Sequence, residues 1–72
     1  KGLPDILGWR SRVFPGATHL GPIAQWLAVE VKAEHGTVAP AQQAFLDLLM
    51  ATGGIGVIAR SVNDVKEALE RG

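Results

Sequence analysis

The stretch Trp26-Leu27-Ala28-Val29-Glu30-Val31-Lys32 constrains the fold of this chain more than any other. β-Branched and aromatic residues are frequent in it, and polar residues alternate with apolar ones toward its end, the pattern of a strand. Strand side chains alternate between two faces. Leu27, Val29 and Val31 are therefore expected on one face, in the core, and Ala28, Glu30 and Lys32 on the other. A carboxylate and an ammonium are thereby held side by side. Two readings are open for such a pair. It can be a solvated ion pair on an exposed sheet face. It can also be half of a hydrolytic site, the carboxylate holding a divalent cation and the ammonium standing near the attacking water.

The chain around this strand is short. Its 72 residues are expected to form one domain, 1–72, near the size at which a single core is marginal without help. There is no Cys, so neither disulfides nor thiolate metal sites supply that help. A hydrophobic fraction of 47% supports a packed core rather than disorder. Seven Lys and Arg balance seven Asp and Glu, so any phosphate-binding surface has to be local. No apolar run approaches the roughly 20 residues that span a bilayer, and no signal peptide is visible. The expectation is a soluble intracellular protein without membrane contact.

Along the chain, Ile6-Leu7-Gly8-Trp9 reads as a short strand entered through Pro4-Asp5. Pro-Asp is either plain turn chemistry or a carboxylate within reach of a neighbouring strand. Residues Arg10 to Gln25 read as a long loop punctuated by Pro15-Gly16 and Gly21-Pro22, with Arg12-Val13-Phe14 available to extend the first strand. With Lys1, the loop residues Arg10, Arg12 and His19 make this quarter locally basic. These are solvated charges or phosphate contacts, and no second His or Cys at ligand spacing accompanies His19 to suggest zinc.

Pro40 suits the first position of a helix, capped near Thr37 or Ala39, with a stripe of Ala41, Phe45, Leu48 and Leu49 continued by Ala44 and Thr52. Gly53-Gly54 stops it. Of Gln42 and Gln43 in its first turn, only one can face the strands. Ile55 to Ala59 reads as a buried strand joined by a crossover, and Arg60 at its end is a solvated charge or a phosphate contact. Ser61-Val62-Asn63-Asp64 opens a second helix in a capping-box pattern, its apolar face Val62, Val65, Ala68 and Leu69. The order is strand, loop, strand, helix, strand, helix, a mixed sheet flanked by helices and hence an α/β (α+β) fold. Gly53-Gly54-Ile55-Gly56 opens a strand rather than a helix, so it is neither a dinucleotide fingerprint nor a P-loop.

Pro4-Asp5 followed by Glu30-Val31-Lys32 resembles the PD-(D/E)XK nuclease signature of restriction-endonuclease-like proteins. The wider set, Gly2-Leu3-Pro4-Asp5-Ile6-Leu7-Gly8, Ala28 to Lys32, Pro40 to Phe45 and Gly53-Gly54 through Ser61, resembles its VRR-NUC branch, and the small stand-alone phage and bacterial members are nearest in size. The resemblance covers nearly the whole chain apart from the variable loop. It departs from the family in one respect: an N-terminal helix with a further acidic or amide residue, and a strand, precede the Gly-x-Pro-Asp motif in relatives and are not found within residues 1–72, so the expectation is either that they lie outside this sequence or that the site is incomplete.

The resemblance implies a divalent-metal-dependent DNA endonuclease with catalytic residues Asp5, Glu30, Lys32 and Gln42. It implies Mg²⁺ or Mn²⁺ held by Asp5, Glu30 and the backbone carbonyl of Val31. Lys32 would orient or deprotonate the attacking water or stabilise the transition state, and Gln42 would position the Lys or the water. Lys1, Arg10, Arg12, His19 and Arg60 are the candidate DNA contacts. The implied partners are branched or structured DNA, such as a Holliday junction, and a second copy of the chain in a homodimer, in the cytoplasm of a bacterial or phage-infected cell. The alternative is an inactive nuclease-fold module that binds DNA or a protein.

Overall fold

A computed structural model describes residues 3–13, 16 and 21–72. The element order is β1 (Ile6–Arg12), β2 (Ile23–Val31), α1 (Pro40–Ala51), β3 (Ile55–Ala59) and α2 (Val62–Arg71). The three strands form one mixed sheet in the order β1-β2-β3. β1 runs antiparallel to β2, with Ile6 opposite Val29 and Trp9 opposite Trp26, and β3 runs parallel to β2, with Leu27 opposite Ile55 and Val31 opposite Ala59. The fold class is the α+β arrangement expected from the order of patterns.

Period-two alternation sorts the side chains onto two differently covered faces. On one face, Val29, Ile55, Val57 and Ala59 pack with Ala68 of α2, joined by Leu27, Val65 and Leu69. On the other, α1 lies close over Gly56, where an added Cβ would stand 3.2 Å from Met50 and 3.3 Å from Leu46. Ala28 and Glu30 are buried on that face. Helices therefore sandwich β2 and β3, whereas Ile6, Leu7 and Trp9 of β1 are half or more exposed.

Four details depart from the sequence reading. Both strands extend into the expected loop, β1 to Arg12 and β2 from Ile23. The charges of Arg10 and Arg12 hid the alternation there, and Gln25 is a buried strand residue. The face that α1 turns to the sheet is rotated. Leu46 is its buried residue, Phe45 and Leu49 are half-buried, and Ala41, Ala44 and Leu48 are exposed. The close fit over Gly56 selects that face. Val62 of α2 is exposed while Ala68 is buried, so the apolar stripe begins at Val65. Val31 shares the face of Val29 but is 53% exposed, because β2 ends there, at the edge of an open hollow toward Val62 and Val65.

The helix ends follow local chemistry. Ala39 caps α1 without a side-chain bond, and the Gln42 side chain satisfies its N–H instead, at 3.0 Å. Gly53, at φ 91°, takes the left-handed conformation beyond the end of α1 that favours glycine. Ser61 caps α2, its hydroxyl accepting from the Asp64 N–H at 3.3 Å. The reciprocal half is shifted by one residue, since the Asp64 carboxylate accepts from the N–H of Arg60 at 2.8 Å.

Candidate active site

Asp5 lies one residue before β1, so the register that sets Ile6 opposite Val29 brings it beside Glu30. Successive N–H groups of β2 point to opposite edges. That of Lys32 donates to the Ala59 carbonyl of β3 at 3.0 Å, and that of Val31 turns toward β1. There it donates to Asp5 Oδ2 at 2.8 Å. The carboxylate thus fastens the start of β1 to the end of β2 and lies against the backbone of Val31.

Glu30 is the largest fully buried side chain among the described residues, 2% exposed. Burying a carboxylate is costly unless every lone pair is engaged. Here one oxygen is engaged and the other is not. Oε1 accepts a short hydrogen bond from Gln42 Nε2 and faces Lys32 Nζ at 3.5 Å. Oε2 is buried with no hydrogen-bond partner among the described residues. Lys32, two residues along the same strand face, is 21% exposed and so joins the buried carboxylate to the surface.

Gln42 comes from the first turn of α1. Its amide has one acceptor and two donors. Oε1 takes the Ala39 N–H and Nε2 is given to Glu30, so the helix terminus fixes the amide that fixes the carboxylate. Gln43 donates to Asp47 at 2.8 Å on the exposed helix surface and takes no part. The structure therefore brings Asp5, Glu30, Val31, Lys32 and Gln42 to one end of the sheet.

The arginines are placed differently. Arg10 is on the α2 face, where Nε donates to Gln25 Oε1 at 2.9 Å and Nη1 to the Leu69 carbonyl at 3.0 Å. A cation at the last carbonyls of a helix also suits its dipole. Arg60 Nη1 donates to the carbonyls of Ala33 at 2.6 Å, Gly36 at 2.9 Å and Glu34 at 3.3 Å, tying down the turn after β2. Arg12 stands opposite Ile23, on the face of Arg10. Lys1 and His19 lie outside the described residues. Gln25, which the sequence reading placed in the loop, is buried between Arg10 and the Gly53 carbonyl, which it reaches at 3.1 Å; it ties the far end of β2, on the face opposite Glu30, to the turn after α1. The alternation of Ile23, Gln25 and Leu27 was its available signal.

The donor set suits a hard cation. Among the described residues no cluster of three or more His, Cys, Asp or Glu side chains could cage a metal. Two carboxylates and one carbonyl are nevertheless enough for an ion that keeps water ligands. The unpartnered Glu30 Oε2 is the acceptor that such an ion would satisfy.

No curated protein and no solved structure gave a match to the chain. The family model of the VRR-NUC domain, a nuclease domain, matches residues 1–63, which include every side chain of this constellation. By that match over most of its length, the chain belongs to the VRR-NUC domain family.

Proposed function

We propose that the protein hydrolyses phosphodiester bonds of DNA as an endonuclease dependent on Mg²⁺ or Mn²⁺, and that it acts on branched or otherwise structured DNA. The observation that carries this reading is the buried, unpartnered Oε2 of Glu30, held beside Lys32 by Gln42. A polar group left unpartnered in the interior is costly. Arg10 Nη2 is a second such atom, but only Glu30 Oε2 belongs to a carboxylate with a second carboxylate, Asp5, beside it for a cation to join.

Asp5, Glu30 and the Val31 carbonyl would hold the cation. A bound divalent ion supplies Lewis acidity toward a water and compensates the charge that builds on the phosphate. Asp5 engages one oxygen with the Val31 N–H and leaves its other oxygen for the ion. Glu30 is already immobilised through Oε1, so little side-chain entropy remains to be lost on binding. Lys32 presents a cationic group where the strand face meets solvent, in position to orient the attacking water or to offset charge on the phosphate. Gln42 holds Glu30 and, through the Ala39 N–H, keeps α1 in register with the site.

β1 is an edge strand of the sheet among the described residues, and a homodimer paired along it suits a substrate with two strands to cut. An isologous antiparallel pairing about an axis normal to the sheet would keep both sites on one face.

The test is cleavage of labelled four-way junction, flap and duplex DNA in Mg²⁺ or Mn²⁺. Lys32→Ala should abolish turnover while Mn²⁺ binding and fold are retained. Glu30→Ala should lose both turnover and Mn²⁺ binding. Full activity in both variants would refute the assignment, and Mn²⁺ binding that does not depend on Asp5 and Glu30 would refute the metal site.

A further inference from the structure

Trp9 and Trp26 are the chain's only tryptophans, and the register sets them directly opposite each other. Both lie on the sheet face that carries Glu30 and Lys32, and they are 63% and 49% exposed. An exposed pair of large aromatic rings on one face is unusual for a surface that only meets water. Their neighbours on the outer side are Ser11 and Ala24, also paired across the strands, so small side chains leave the ring faces open. Trp26 precedes Glu30 by four residues, about 13 Å along a strand.

We propose that Trp9 and Trp26 form a stacking platform for unpaired nucleobases of the DNA strand whose phosphate lies at Glu30 and Lys32. This rests on the nuclease reading and narrows its substrate to DNA with unpaired nucleotides beside the cut. Continuity with the site is the first argument, because a strand crossing Glu30 runs over the indoles within a few nucleotides. Charge is the second. The chain is formally neutral, and the guanidinium groups of Arg10 and Arg60 are directed at backbone carbonyls, so attraction to phosphates is weak. Stacking supplies affinity that does not depend on net charge and accepts any base. Room is the third. A cleft of about 240 Å³ with mainly apolar walls opens beside Trp26 against Thr52, Gly53 and Gly54, large enough to take the edge of a base stacked on the indole.

The chain has no Tyr, so its intrinsic fluorescence comes from these two rings. The experiment titrates the protein in EDTA with a single-stranded thymidine oligomer and with duplex DNA of equal length. It then repeats the binding by anisotropy of a labelled oligomer with Trp9→Leu and Trp26→Leu, which keep an apolar side chain. The single strand should quench the emission more than the duplex does. Each variant should bind the single strand at least fivefold more weakly, the low end of what one stacked base contributes, with Mn²⁺ binding unchanged. Absent quenching in the wild type, or wild-type oligomer affinity in both variants with Mn²⁺ binding intact, overturns the platform and leaves the nuclease reading standing. Dimeric wild type and monomeric variants of equal oligomer affinity would make this face a self-contact and overturn it too. Failure of the wild type to bind Mn²⁺ through Glu30 sinks the nuclease reading, and the platform with it.

Discussion

Replacing Glu30 by Gln separates the cost of the site from its use. The side chain is 2% exposed and faces Lys32 Nζ at 3.5 Å. At an effective dielectric of about 20, that pair attracts by roughly 5 kcal/mol. Removing a carboxylate from water costs several kcal/mol even after relaxation. The unpartnered Oε2 adds a penalty of about 1–3 kcal/mol for a hydrogen bond not made. These terms nearly cancel, so the buried charge contributes little to stability. Gln keeps the shape and the acceptor for Gln42, and Lys32 is close enough to the surface to turn to water. In EDTA, Glu30→Gln should therefore lie within about 1 kcal/mol of wild type, or about 4–8 °C in melting temperature for a domain of this size. With Mn²⁺ at about a hundred times its dissociation constant, wild type gains roughly 2.7 kcal/mol by linkage. Its transition should rise by about 10–20 °C, and that of the variant should not move. Paired thermal melts, with and without Mn²⁺, read both quantities. An equal Mn²⁺-induced rise in the variant would refute the ligand assignment. A loss of several kcal/mol in EDTA would mean that Glu30 is retained for the fold.

Other perturbations probe the supports of the site. Gly56→Val places a branched side chain where even a Cβ meets Leu46 at 3.3 Å, and should cost about 1–3 kcal/mol in urea denaturation. Ser61→Ala removes the hydroxyl that caps α2 and should cost about 1 kcal/mol in a thermal melt, with Mn²⁺ affinity unchanged. Arg60→Ala should speed amide exchange in the turn tied to Ala33 and Gly36 while leaving the salt dependence of DNA binding unaltered. A slope reduced by about one would instead make Arg60 a phosphate contact.

The lengths of β3 and α1 were legible because local signals bound them: Gly53-Gly54 before β3, and Pro40 at the start of α1. Period-two alternation likewise set Glu30 and Lys32 on one face of β2 before any partner was known. The extension of β1 to Arg12 was legible only as an option, since Arg12-Val13-Phe14 was available to continue the strand. Arg10 and Arg12 read as loop charges, and only the distant Gln25 and Leu69 carbonyl give Arg10 a reason to lie in a strand. The face of α1 was misjudged for a related reason. Apolar spacing favoured Ala41 and Leu48, whereas the absence of a side chain at Gly56 draws Leu46 inward.

By itself the sequence determined the kinds of residue, their alternation along β2 and the order of elements, since each depends on neighbours within one turn or one strand. Tertiary structure alone decided that Glu30 is buried with one oxygen unpartnered among the described residues, and that Arg10 and Arg60 serve backbone carbonyls. It also decided that Trp9 and Trp26 share a face with the site. Those outcomes depend on strand register and on which helix covers which face. Both are settled by groups far apart in the chain, and no local pattern encodes them.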